Sequence, residues 1–242
     1  MPQLLPSSDF LKYIATHREP QENSTRLPSL AALSNELGLS VSTLREQMEV
    51  ARAMGLVEAR PRTGLRTLPY SFTPAVRQSL SFAIALDRAY FDSFADLRKH
   101  VEITYWHEAV VRLLPVDHVA LKTLVIQAWQ KLRGEPIEIP QGEHRELHLL
   151  VYRRLNNSFV MGLLEAYWDA YEAVGLNVYT DYAYLQNVWK YHQIMVDSIC
   201  SGDFATGYHA LLEHTDLLFH RSASVSVSPD PNLLTPFPIP KE

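Results

Sequence analysis

Leu27-Pro-Ser-Leu-Ala-Ala-Leu-Ser-Asn-Glu-Leu-Gly-Leu-Ser-Val-Ser-Thr-Leu-Arg-Glu46 holds two short helical patterns separated by a break. Leu30, Leu33 and Leu37 recur at helical spacing. Gly38 suits a positive φ after the last turn, and Ser40 is placed to cap the next helix. That second helix is expected from about Val41 to Met54, with Leu44, Met48 and Ala51 turned inward and Ser42, Thr43 and Arg45 outward. Two closely joined helices of which the second presents hydroxyls and a guanidinium have the layout of a DNA-reading pair. After Gly55, the segment Leu56–Arg60 can pair across a turn containing Gly64 with Leu65–Leu68. The resulting small β wing carries Arg60, Arg62 and Arg66, and Gly64 would let its backbone approach a phosphate closely.

These residues, with Gly55-Leu-Val-Glu-Ala-Arg-Pro-Arg-Thr-Gly64, resemble the winged helix-turn-helix of the GntR family over about forty positions. The Leu-Pro-Ser opening, the Leu-Gly-x-Ser turn, the outward Arg45 and the Arg-Pro-x-x-Gly wing carry the likeness. The resemblance implies operator DNA as a partner, contacted by Ser42, Thr43, Arg45, Arg60, Arg62, Gly64 and Arg66. Two departures remove cationic contacts usual in relatives: Leu30-Ala31 follows Leu-Pro-Ser where Glu-Arg is common, and Val41 follows the turn serine. More of the binding would then fall to the wing.

The chain has 242 residues, 47% hydrophobic and 20% charged, and a formal charge of -5. An ordinary soluble two-domain protein fits that composition, and no apolar run has a membrane-spanning length. The acidity is unevenly placed. Residues 1–70 hold 8 Lys/Arg against 7 Asp/Glu, whereas residues 71–242 hold 14 against 20. Nine of ten histidines and all four tryptophans also lie beyond residue 70, so the two parts are expected to have different tasks. A DNA-binding domain over 1–70, a helical ligand-binding domain over 71–222 and a Pro-rich tail over 223–242 follow. Met1-Pro-Gln-Leu-Leu-Pro lacks a signal-peptide layout and Cys200 has no partner for a disulfide, so a cytoplasmic location is expected.

Beyond residue 74, helical periodicity broken near Pro115, Gly134–Gly142, Asn157, Gly175 and Gly202 predicts five to seven helices. His144 and His148 share a stripe with Leu147, Val151 and Leu155; His192 shares one with Leu185, Val188, Met195 and Ile199; His214 lies with Leu211, Leu217 and Leu218. Four inward imidazoles from three helices are thus available to one cavity. A divalent cation would satisfy them together, and an i, i+4 histidine pair is a natural chelate. Imidazole-only ligation suits zinc, nickel or copper better than magnesium or manganese, and zinc or nickel is expected. A metal-free cluster that holds an anion directly is the alternative.

The same region resembles the FCD effector domain of the FadR-like branch of the GntR family. The likeness runs from Leu97-Arg-Lys-His-Val-Glu102 through His144-Arg-Glu-Leu-His148 and Leu155-Asn-Asn157 to His192, Gly202-Asp203 and His214. Metal-binding members use an Asp and three His, and His144 stands at the Asp position. The resemblance implies a small organic acid or sugar acid as effector. Arg98, Glu102, Tyr105 and Asn157 are the candidate contacts, although Arg98 could equally pair with Glu102 on its own helix. Tyr105, Trp106, Tyr167, Trp168, Tyr171, Trp189 and Tyr191 could line a pocket or fill a core.

A mainly α homodimer that reads two half-sites, with repression the commoner mode in the family, is the expectation. A metalloenzyme would use the same histidines to activate water, but Glu102, Glu143 and Glu165, the carboxylates available as base, sit in no recognised catalytic spacing. A sensor of the ion itself is the third reading.

Overall fold

The structure is a computed structural model that describes residues 8–17, 26–60, 64–175 and 181–224, with side chains to 217. Ten helices and one small sheet are found among them. Beyond residue 224, the Pro-rich stretch lies outside the described residues.

In the first part, α1 (Asp9–Thr16) starts at Ser8, whose hydroxyl accepts from the Leu11 amide. Helix α2 (Leu30–Leu37) is capped by Ser29 and ends at Gly38 with φ +66°, and α3 (Val41–Ala53) is capped by Ser40. The helix-turn-helix therefore closes where the sequence puts its caps. Phe10, Leu33, Leu44, Met48 and Ala51 form its core. Strands β1 (Val57–Arg60) and β2 (Gly64–Thr67) pair antiparallel, with Val57 opposite Thr67 and Arg60 opposite Gly64. Arg26 forms an antiparallel bridge to Arg66, and the Leu27 amide donates to the Leu65 carbonyl at 2.9 Å. The segment before α2 thereby extends the wing sheet.

Seven further helices build the second part: α4 (Thr73–Leu86), α5 (Ala89–Val110), α6 (Pro115–Leu132), α7 (Gln141–Tyr152), α8 (Ser158–Ala173), α9 (Tyr182–Ser201) and α10 (Phe204–Ser224). Helices α9 and α10 pack as a pair joined at Gly202, which has φ +81°. Helix α6 packs on α7 and α9, α4 packs on α8, and α5 touches α7, α8 and α10. Around α5 lies a single core that includes Trp106, Leu121, Leu147, Tyr152, Leu164, Tyr167, Trp189 and Met195.

Helix α4 follows the wing and packs its start closely against α8. A Cβ at Gly162 would sit 2.7 Å from the Phe72 Cβ and 2.9 Å from the Thr73 amide nitrogen. Those neighbours belong to the main chain or its first side-chain atom and cannot swing away. Gly162→Ala is accordingly expected to destabilise by about 1–3 kcal/mol, as overpacking does. Urea unfolding checks this, and an unchanged midpoint would contradict the close packing. Thr73 also donates to Glu165 on α8, and Arg77 pairs with Asp169 one turn further on.

Candidate metal centre and nucleic-acid interface

Helices α7, α9 and α10 bring His144, His148, His192 and His214 together, each with one ring nitrogen within 4.8 Å of the others'. His148, His192 and His214 are 0%, 0% and 5% exposed. The Nε2 of His148 lies 3.1 Å from that of His192 and 3.2 Å from that of His214. Bonds of about 2.0–2.1 Å in a tetrahedron place ligand nitrogens roughly 3.3 Å apart, so three rings already stand at near-chelating separation. Nε2 of His144, Nδ1 of His192 and Nδ1 of His214 have no hydrogen-bond partner among the described residues. A buried nitrogen without a partner is costly, and an ion bound by Nε2 of His144 would give that atom one.

Glu102 on α5, 0% exposed, completes the arrangement. Its Oε1 lies 3.0 Å from Nδ1 of His148 and its Oε2 lies 2.8 Å from Nε of Arg98. A carboxylate on Nδ1 holds the proton there and turns the Nε2 lone pair toward the cluster, as carboxylates do behind metal-bound histidines. Arg98 NH2 is also 2.9 Å from that Nδ1. With the proton on Nδ1, Glu102 is its acceptor and the guanidinium is held mainly by the carboxylate. The guanidinium lies over the rings of Tyr167 at 4.7 Å and Trp168 at 5.4 Å.

Burial lowers the pKa of all four histidines, most for His144, His192 and His214; Arg98 adds to it at all four, and neighbouring imidazoles add to it at those three. At His148 the Glu102 charge opposes that shift. Burial pushes the Glu102 carboxyl up, but Arg98 and His148 together hold it below the usual range. The rings are therefore neutral near pH 7, the state a metal requires.

The other candidate residues divide. Arg98 and Glu102 are buried in the histidine network, so Glu102 acts on His148 rather than presenting a free oxygen outward. Asn157 caps α8, its side-chain oxygen accepting from the Phe159 and Val160 amides. Tyr105 packs partly buried against the core, as do Trp106 and Tyr167 more deeply. Of the aromatic series, Trp168, Tyr171 and Trp189 line a cavity beside His144. Ile139, Pro140 and Tyr184 join them; only the adjacency of Pro140 to the helix bearing His144 could have indicated this from sequence. Each of the three available carboxylates is engaged: Glu143 pairs with Lys131 at 2.7 Å, Glu165 accepts from Thr73, and Glu102 is held as described.

On the candidate DNA-reading face, Ser42 and Arg45 are exposed on α3, while the Thr43 hydroxyl is 2.9 Å from that of the capping Ser40. Arg60 pairs with Glu58 at 2.8 Å, and Arg66 is half-buried. Gly64 is exposed at φ +79°, a conformation that favours glycine. Arg62 lies outside the described residues. Arg26, not anticipated from sequence, reaches over Gly64, with Nε 3.8 Å from where a Cβ would stand.

The FCD domain model matches residues 93–217, more than half of the chain. The chain belongs to the FCD-domain family. With its winged helix, this FCD protein is a GntR-family, DNA-binding transcriptional regulator rather than an enzyme. Its fold is shared with Streptococcus agalactiae GntR, 18% identical, TM-score 0.64, covering 88% of this chain and 96% of that one. It is also shared with Escherichia coli McbR/YncC, 18% identical, TM-score 0.51, covering 84% and 89%. No curated protein sequence matches the FCD regulator. Among its described residues no helix is long and apolar enough to cross a membrane.

Proposed function

We propose that the chain is a homodimeric repressor whose affinity for operator DNA responds to a small organic acid bound beside a divalent transition metal, zinc or nickel. The observation that carries this reading is the convergence of four imidazoles next to a small cavity, with Glu102 orienting one of them. The histidines would hold the ion, which would supply Lewis-acid affinity for a carboxylate oxygen. Arg98, behind His148, keeps Glu102 ionised and the tautomer fixed.

Operator fragments selected from random duplexes test the reading. The zinc-loaded chain should bind an inverted repeat as a dimer, and acid addition should shift that affinity. Arg45→Ala should weaken binding by about 1–3 kcal/mol if it meets a base edge, or flatten the salt dependence if it meets a phosphate. Affinity that ignores both metal and every acid would overturn the responsive part, and unchanged binding by the Arg45 variant at all salt concentrations would remove Arg45 from the interface.

A further inference from the structure

The wing sheet carries a positive charge that the helix pair α2 and α3 lacks. Over residues 30–53, Arg45 and Arg52 stand against Glu36, Glu46 and Glu49, and Arg52 is tied to Glu49 at 2.8 Å. In the sheet, Arg26 and Glu58 both stand opposite Arg66 of the middle strand, and Arg60 stands opposite Gly64. Residues opposite one another, and residues two apart along a strand, project from the same face. Arg26, Arg60 and Arg66 therefore share a face with one acid, Glu58. Leu27, Val57, Leu65 and Thr67 alternate to the other face and are buried. The arginine face is thus turned away from the core, with Arg26, Arg60 and Gly64 exposed and Arg66 half-buried.

Glu58 is taken up by Arg60 at 2.8 Å, whereas Arg26 has no ion pair among the described residues. Gly64 leaves the surface beside it open down to the backbone. A Cβ there would lie 3.8 Å from Nε and 3.9 Å from Nη2 of Arg26, so the guanidinium borders space that any other side chain would fill. An anion can enter that space and meet the edge of the guanidinium. Duplex DNA offers a continuous line of phosphates, and cations facing them supply the part of the affinity that ignores sequence. The helix pair has no surplus cation for that task.

We infer that Arg26 is a phosphate contact of operator DNA, holding the backbone beside Gly64 with Arg60 and Arg66 on the same face. Its planar fork matches two phosphate oxygens at once. This rests on the operator-binding reading above, and it moves the sequence-independent share of the affinity from α3 to the wing sheet and the segment before α2.

Fluorescence anisotropy with the full-length chain tests it, on the selected operator and on a random duplex of equal length, from about 50 to 200 mM potassium chloride. Arg26→Ala should weaken both duplexes alike, about ten-fold at the low-salt end, and lower the slope of log affinity against log salt by about 0.9. Arg26→Lys keeps the charge without the fork and should retain the slope with a smaller loss of affinity. Both variants should melt as the parent does, because the side chain is exposed. Unchanged slope and affinity in Arg26→Ala overturn the inference while operator binding stands. A loss confined to the operator, with the slope intact, overturns the phosphate role in favour of a base contact. Binding of neither duplex by the parent overturns the operator-binding reading and this inference with it.

Discussion

His148→Ala is expected to strip the purified chain of its divalent ion, from about one per chain to none, and to remove the stabilisation that chelators remove from the parent. His148 is the hub of the cluster, since its Nε2 faces both His192 and His214 while its Nδ1 is held by Glu102. A ligand that binds only the folded state contributes about 4 kcal/mol at a thousand-fold excess over its dissociation constant. The parent should therefore melt lower after chelation, and the variant should melt alike with and without chelator. Acid should act in the same direction. Burial depresses the folded-state pKa of His144, His192 and His214, so as pH falls through the ordinary value of about 6.5 the unfolded chain takes up protons that the folded chain refuses. Stability is thus full above that pH and declines below it, until the depressed folded pKa values are passed. His144→Asp, which restores the ligand set usual in relatives, should keep an ion and shift preference toward harder metals. Elemental analysis and melting curves from pH 5 to 8 check these outcomes. Equal metal content in His148→Ala and the parent would overturn the centre as described.

The other large effect is expected at Arg98. Its guanidinium is 4% exposed and pairs with a carboxylate that is 0% exposed. Removing one member of such a pair leaves an uncompensated charge in the interior, at a cost of about 3–5 kcal/mol. Arg98→Ala should therefore lower the denaturation midpoint strongly. Arg98→Met with Glu102→Leu, which removes both charges and retains bulk, should recover much of that loss while weakening metal affinity, because His148 loses the acceptor on Nδ1. A double variant with undiminished metal affinity would show that Glu102 does not orient the ring.

Local signals made much of this visible in the sequence. Ser29, Gly38 and Ser40 act within one helical turn of their own positions, so the helix-turn-helix and its caps could be placed from spacing alone. The inward stripes of α7, α9 and α10 likewise brought the four histidines to the buried side. What stayed hidden depends on contacts between distant segments. Asn157 follows Leu155 as the family pattern requires, yet its side chain serves the start of α8. Whether Arg98 met Glu102 or a ligand could not be separated by periodicity, because the answer lies with His148, 46 residues beyond Glu102. Arg26 reached the wing only because a bridge to Arg66 folds it there.

Asp169 gives one carboxylate to two helices. Its Oδ1 receives Arg145 of α7 at 2.8 Å, and its Oδ2 receives Nε of Arg77 of α4 at 2.8 Å. Arg145 is the residue after His144, and α4 follows directly on the wing. The two arginines thereby share one carboxylate of α8, which stands between the helix that bears His144 and the helix that follows the wing.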